Sequence, residues 1–107
     1  MQLNKNQILK IKQKVNLNSE RTIVRIDVSE DKTLSPQESS SNVYCINNQY
    51  EIIWQVKEIK TQRHFDEDMF VYLGKNSKGE IIADRFSGFV YKIDPDTGEA
   101  EQIGFHK

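Results

Sequence analysis

Carboxylates are the residues of this sequence whose type and spacing could do chemistry at a surface. One group is the run Asp66-Glu67-Asp68 beside a lone Phe65; the other is Asp94, Asp96, Glu99 and Glu101, spread around a Pro-Asp-Thr-Gly turn. Held on a rigid scaffold, such groups can take the positions of phosphates against a basic partner and speed its encounter. An aromatic among charges is the sort of residue that anchors a protein interface, although Phe65 also fits as a lid on the edge of the core. The candidate partner-binding set is therefore Phe65, Asp66, Glu67, Asp68, Asp96, Glu99 and Glu101. Asp94 is explained by its turn alone, and an ordinary solvated face is the competing account of the rest.

Catalytic chemistry has little to work with. The sequence holds no nucleophile elbow, no phosphate-cradling glycine loop and no paired catalytic carboxylates, and the nearest acid–base pairing is His64 two residues from Asp66. One Cys and two His are too few for a structural zinc site. No catalytic, cofactor-binding or metal-binding residue is assigned, and an enzyme is not expected. Cys45 lies in an apolar alternation and reads as a buried thiol in a reducing compartment.

The basic counterpart is a strip of Lys10, Lys12, Lys14, Arg21 and Arg25, which could track a phosphate backbone. It lacks interleaved aromatics for stacking bases, and the overall pI near 6.1 is wrong for a dedicated nucleic-acid binder. Charge is nevertheless polarised: residues 1–28 carry six basic and two acidic side chains, the remainder nine basic and fourteen acidic. That asymmetry bears on partners rather than on fold.

The elements that must position these groups are almost all β. A chain of 107 residues is one domain, large enough for one core but, at 36% apolar residues, a thin one. A pattern recurs three times: a strand rich in aromatic and β-branched residues runs into Asn or Asp, a turn follows, and an acidic residue opens the returning strand. The copies are Val43–Ile52, Val71–Ile81 and Val90–Ala100. Gly79 and Gly98 supply the left-handed residue in the second and third.

Upstream, Thr22 to Val28 alternates cleanly as a strand and pairs most simply with the segment before it. That segment, within residues 6–15, supports a strand with Lys10, Lys12 and Lys14 on one face. It also fits a short helix capped by Asn6. Residues 29–41 are a polar loop, leaving 1–28 as an N-terminal hairpin and 42–107 as repeated hairpins.

The expected architecture is an antiparallel meander of seven to eight strands forming a curved sheet, sandwich or partly open barrel. Its expected core is Val24, Ile26, Val43, Cys45, Ile52, Trp54, Val56, Val71, Leu73, Ile82, Phe89, Tyr91 and Ile93. No apolar run approaches the roughly 20 residues of a membrane helix, and no signal-peptide layout opens the chain; the reading is of a soluble, cytoplasmic protein.

Two resemblances attach to these residues. Val43 to Asn47 with Ile53 to Val56, and Val90 to Glu99, resemble the hairpins of quinoprotein-type β-propeller blades, in which a strand ends in Asp, a Gly turn follows and a Trp closes the next strand. One domain of this length cannot close a propeller, so the likeness implies shared hairpin physics. The C-terminal two-thirds resembles small bacterial immunity proteins of contact-dependent growth inhibition and polymorphic toxin–antitoxin systems. The residues concerned are the strand Asn42 to Cys45, Trp54 on the next strand, and Gly88 to Asp94. That resemblance implies a cytoplasmic protein that neutralises a cognate, basic toxin, such as a nuclease, by protein–protein binding. The competing functions are a nucleic-acid-binding β domain using the lysine strip and a small-ligand-binding barrel; exposed sheet edges could also pair into a homodimer.

Overall fold

The structure, a computed structural model, describes residues 1–58 and 68–105. It opens with a helix that local chemistry dictates. Asn4 Oδ1 accepts the Gln7 N–H at 2.8 Å, and Gln7 Oε1 accepts the Asn4 N–H at 2.8 Å. This reciprocal capping box starts α1 (Lys5–Leu9). The chain then extends into β1 (Ile11–Asn16). Both readings of residues 6–15 are thus realised in succession, and the cap is Asn4 rather than Asn6. A helix this short has little stability of its own; Leu3 and Ile8 hold it by packing on the sheet beneath.

The first sheet has the order β1, β2 (Thr22–Ile26), β3 (Val43–Ile46), β4 (Ile52–Gln55), antiparallel throughout. A single turn of helix, α2 (Pro36–Ser39), interrupts the polar connection between β2 and β3. The chain changes sheets at Val56. Its N–H still donates to Val43 O at 2.9 Å in the first sheet, while the next N–H, of Lys57, donates to Gly98 O at 3.0 Å in the second.

The second sheet contains β5 (Lys57–Glu58), β6 (Phe70–Lys75), β7 (Ile81–Arg85), β8 (Phe89–Ile93) and β9 (Glu99–Phe105). The last four form an antiparallel meander, and the two-residue β5 lies parallel to the start of β9. The fold is therefore all-β: two four-stranded meanders, extended by β5, facing each other as an open sandwich. Its extents, 36 × 35 × 20 Å, are those of two stacked sheets with their side chains.

Register decides what lies between the sheets. Val15, Ile23, Cys45 and Trp54 form one cross-strand row on the inner face of the first sheet. They meet Phe70, Leu73, Ile81, Ala83, Tyr91, Ile93 and Ala100 from the second. The first sheet is also covered outside, where Leu3, Val24, Ile26 and Ile46 form a second cluster. That double coverage is why β2 buries consecutive residues instead of alternating.

Most of the expected core is buried or packed against it, with two corrections. Val71 is 40% exposed and Phe70 takes its place at 0%, because the β6–β7 register shifts between Phe70 and Tyr72. Ile82 is half-buried on the outer face; Ile81, Ala83 and Arg85 point inward instead. A one-residue slip reverses every side chain of a strand.

One polar residue ties the sheets together. Asn42, 1% exposed, donates from Nδ2 to Ile26 O at 2.8 Å and to Phe70 O at 2.9 Å, and accepts the Phe70 N–H on Oδ1 at 2.9 Å. At the neighbouring corner Gln13 Oε1 accepts from Leu73 N at 2.8 Å and from Arg25 Nε at 2.7 Å, joining β1 to β6. Burial pushes the Arg25 guanidinium below its ordinary pKa, with Asp27 opposing.

Candidate functional site

Four hairpin turns, β1–β2, β3–β4, β6–β7 and β8–β9, gather at one end of the sandwich, and an Asn or Asp side chain anchors each. Asn47 Oδ1 accepts from Gln49 N and Glu51 N; Asn76 Oδ1 accepts from Lys78 N and Glu80 N; Asp94 Oδ1 accepts from Asp96 N. A left-handed residue then completes each turn, Tyr50 (φ 61°), Gly79 (φ 79°) or Gly98 (φ 81°), and an acidic residue follows. Asn18 anchors the β1–β2 turn in the same way, accepting from Glu20 N and Arg21 N. The Asx side chain substitutes for a backbone acceptor in the tight turn, so the turn backbone is constrained and the acidic residues leave it at set places in the chain.

The β8–β9 turn is pinned further. Trp54 Nε1 donates to Pro95 O at 2.9 Å, and the indole lies so close to Gly98 that a Cβ there would come within 2.5 Å of Trp54 Cε3. Trp54 is therefore both a core residue and the clamp of the acidic hairpin.

Beside this turn lies a cleft of about 470 Å³ between the hairpins, lined by Lys75, Glu80, Lys92, Asp94, Glu99 and Glu101 among others. Glu80 accepts from Asn76 Nδ2 at 2.9 Å and from Lys92 Nζ at 3.4 Å, and these hydrogen bonds lower its pKa. Lys92 also lies opposite Glu101 in the ladder, and Lys57 opposite Glu99. Asp96 stands exposed at the tip. Glu99 and Glu101 thus line one cleft, with Asp96 at the tip of the same hairpin.

Asp68 lies elsewhere and does something different. It is 4% exposed, in a buried polar cluster where its carboxylate accepts from Ser87 N at 3.0 Å and Ser87 Oγ at 2.7 Å. Arg85 donates to the carbonyls of Asp68 and Ser40, with its guanidinium 4.1 Å from the Phe70 ring centre and 5.1 Å from that of Tyr91. Asp68 therefore helps fasten the β2–β3 connection to the second sheet. Phe65, Asp66 and Glu67, with His64, lie outside the described residues. Of the basic strip, Lys12 and Lys14 are exposed on β1, whereas Arg25 is turned toward Gln13 in the corner between sheets.

A larger concavity was invisible in the linear pattern. On the outer face of the first sheet, α1 and the connection after β2 wall a groove of about 1010 Å³ whose floor includes Ile26, Val28, Tyr44 and Ile52. Tyr44 accepts a hydrogen bond from Gln55 Nε2 at 3.1 Å; its phenol pKa is raised, first by burial and then by nearby Glu38. Local spacing carried part of the signal: Asp27 two before Ser29 and Asp31 two before Thr33 are Asx-turn patterns. That α1 would face them across a groove could not be read from it.

Cys45 is buried and free, and desolvation raises its thiol pKa. Among the described residues no group of three or more His, Cys, Asp or Glu side chains is placed to hold a metal ion, and no helix is long and apolar enough to cross a membrane.

A protein-family model described as a domain of unknown function (DUF7957) matches residues 3–105. No curated protein and no solved structure matches the chain.

Proposed function

The chain belongs to this family of domains of unknown function, and on that premise we propose that it is a non-catalytic binding protein, an immunity protein that neutralises a cognate bacterial toxin by covering it. The partner surface in this reading is basic, and the contact is made by the acidic turn end. The observation that carries it is the anchoring of that end: Asp96, Glu99 and Glu101 are exposed on a hairpin whose backbone is held by Asp94 and by Trp54. A backbone already fixed in position need not be ordered on binding, and the carboxylates it presents steer a cationic partner toward one orientation. A cytoplasmic location belongs to the same reading, supported by a lone thiol kept buried and protonated.

The test is affinity capture with the full chain as bait, followed by binding measured against salt for the captured domain. Wild type should retain one basic toxin domain, and the Asp96→Lys, Glu99→Lys double variant should bind it about a hundredfold more weakly, with a shallower salt dependence. Equal affinity of the double variant, or capture of nucleic acid, would overturn the assignment.

A further inference from the structure

We infer that the groove between α1 and the connection after β2 receives an extended, cationic segment of a partner polypeptide. This is a second surface, separate from the turn end and not dependent on it.

The acidic wall is built with a consistent economy of bonds. Asp27 uses Oδ1 to accept from Ser29 N and Oγ, at 2.9 and 2.7 Å; Asp31 uses Oδ1 to accept from Thr33 N and Oγ1, at 2.9 and 2.6 Å; Glu38 uses Oε1 to accept from Ser35 N at 2.9 Å. Each carboxylate is oriented by one oxygen while the other has no hydrogen-bond partner among the described residues. The Ser29 and Thr33 hydrogen bonds hold the Asp27 and Asp31 pKa values below the ordinary carboxylate value, so both remain charged. The cationic groups lining the groove are Lys10, 4.0 Å from Glu30 and also acting on Asp31, Lys32 and the Met1 α-amino group, and Lys12 and Arg25 act on Asp27 from beside it; against them stand the carboxylates of Asp27, Glu30, Asp31 and Glu38. The wall is also anchored at both ends: Asp27 N donates to Lys10 O at 2.9 Å, and Ser40 Oγ accepts from Asp68 N at 3.0 Å.

The remaining surfaces favour backbone recognition. On the opposite wall the capping box uses the side-chain oxygens of Asn4 and Gln7 and leaves their amide nitrogens without hydrogen-bond partners among the described residues, available to carbonyl oxygens. The floor joins Ile26, the last residue of β2, and Val28, two residues beyond it, to Tyr44 on β3 and Ile52 on β4. An extended segment presents every second side chain to such a floor. The volume is at the upper end of ordinary ligand pockets. A floor of aliphatic residues and Tyr44, amide donors on one wall and oriented carboxylates on the other describe a segment that alternates apolar with Lys or Arg.

The probe is a capped seven-residue peptide alternating valine with arginine, titrated into ¹⁵N-labelled full-length protein, with the glutamate counterpart as control. Saturable amide shifts should concentrate in residues 26–38, Tyr44 and α1 for the arginine peptide only. The Asp27→Asn, Asp31→Asn, Glu38→Gln variant keeps every oriented oxygen as an acceptor, so it should fold normally and bind at least tenfold more weakly. Asp96→Lys, Glu99→Lys should bind the peptide as wild type does, which separates this surface from the turn end. No shifts at millimolar peptide, equal shifts with the glutamate peptide, or shifts confined to the turn end would each refute the inference.

Discussion

Gly79 and Gly98 form a matched pair that isolates what Trp54 contributes. Their φ angles are 79° and 81°, so replacing either with alanine incurs the same left-handed backbone penalty, about 1–2 kcal/mol. The surroundings differ: nothing lies within 4 Å of a Cβ at Gly79, whereas one at Gly98 would sit 2.5–3.0 Å from three atoms of the Trp54 indole. Those are ring atoms of a side chain that is itself held by its hydrogen bond to Pro95 O, so the conflict requires the turn or the indole to move. Overpacking of this kind costs about 1–3 kcal/mol more. Gly79→Ala should therefore destabilise by about 1–2 kcal/mol and Gly98→Ala by about 2–5. Urea unfolding followed through the fluorescence of Trp54, the single tryptophan, measures both. Equal losses in the two variants would refute the claim that the indole clamps the acidic hairpin.

Other perturbations follow from the same geometry. Asn42→Ala would remove the side-chain partner of the buried Phe70 N–H and of Ile26 O, while Phe70 O would keep the 3.5 Å donation from Arg25 Nη1; at about 1–3 kcal/mol for each of the first two groups the loss should be about 2–6 kcal/mol in equilibrium unfolding. A loss below about 1 kcal/mol would show that water or a shift of β6 replaces those bonds. Asp27, Asp31 and Glu80 have pKa values lowered by hydrogen bonds, so the folded state binds protons less readily than the unfolded chain. The stability they contribute is present above the unfolded carboxylate pKa, about 4, and is lost as pH falls through the lower folded values. The urea midpoint should drop below about pH 5, and Asp27→Asn should flatten part of that slope; an unchanged slope would remove Asp27 from the account.

Much of the β architecture was legible because turns and strands are local. The Asn or Asp, left-handed residue and acidic residue recur at close spacing, and the hydrogen bonds they make span only two to four residues. The Asp96, Glu99 and Glu101 group was legible for the same reason, being one hairpin. Asp68 was read as part of an exposed acidic run, because nothing near it in sequence reveals Ser87, nineteen residues away, or the carbonyls that Arg85 joins.

By itself, then, the sequence determined the strands, the anchored turns and the acidity of the last hairpin, all set by steric preference and hydrogen bonds within a few residues. Only the tertiary structure decided which face of β6 and β7 turned inward, since the bulge beside Phe70 depends on pairing between strands. It also decided that Asn42 would replace a missing ladder between two sheets, and that an N-terminal helix would stand across a groove from residues 27–38. Those outcomes depend on desolvating groups far apart in the chain at the same place, and no local pattern encodes that coincidence.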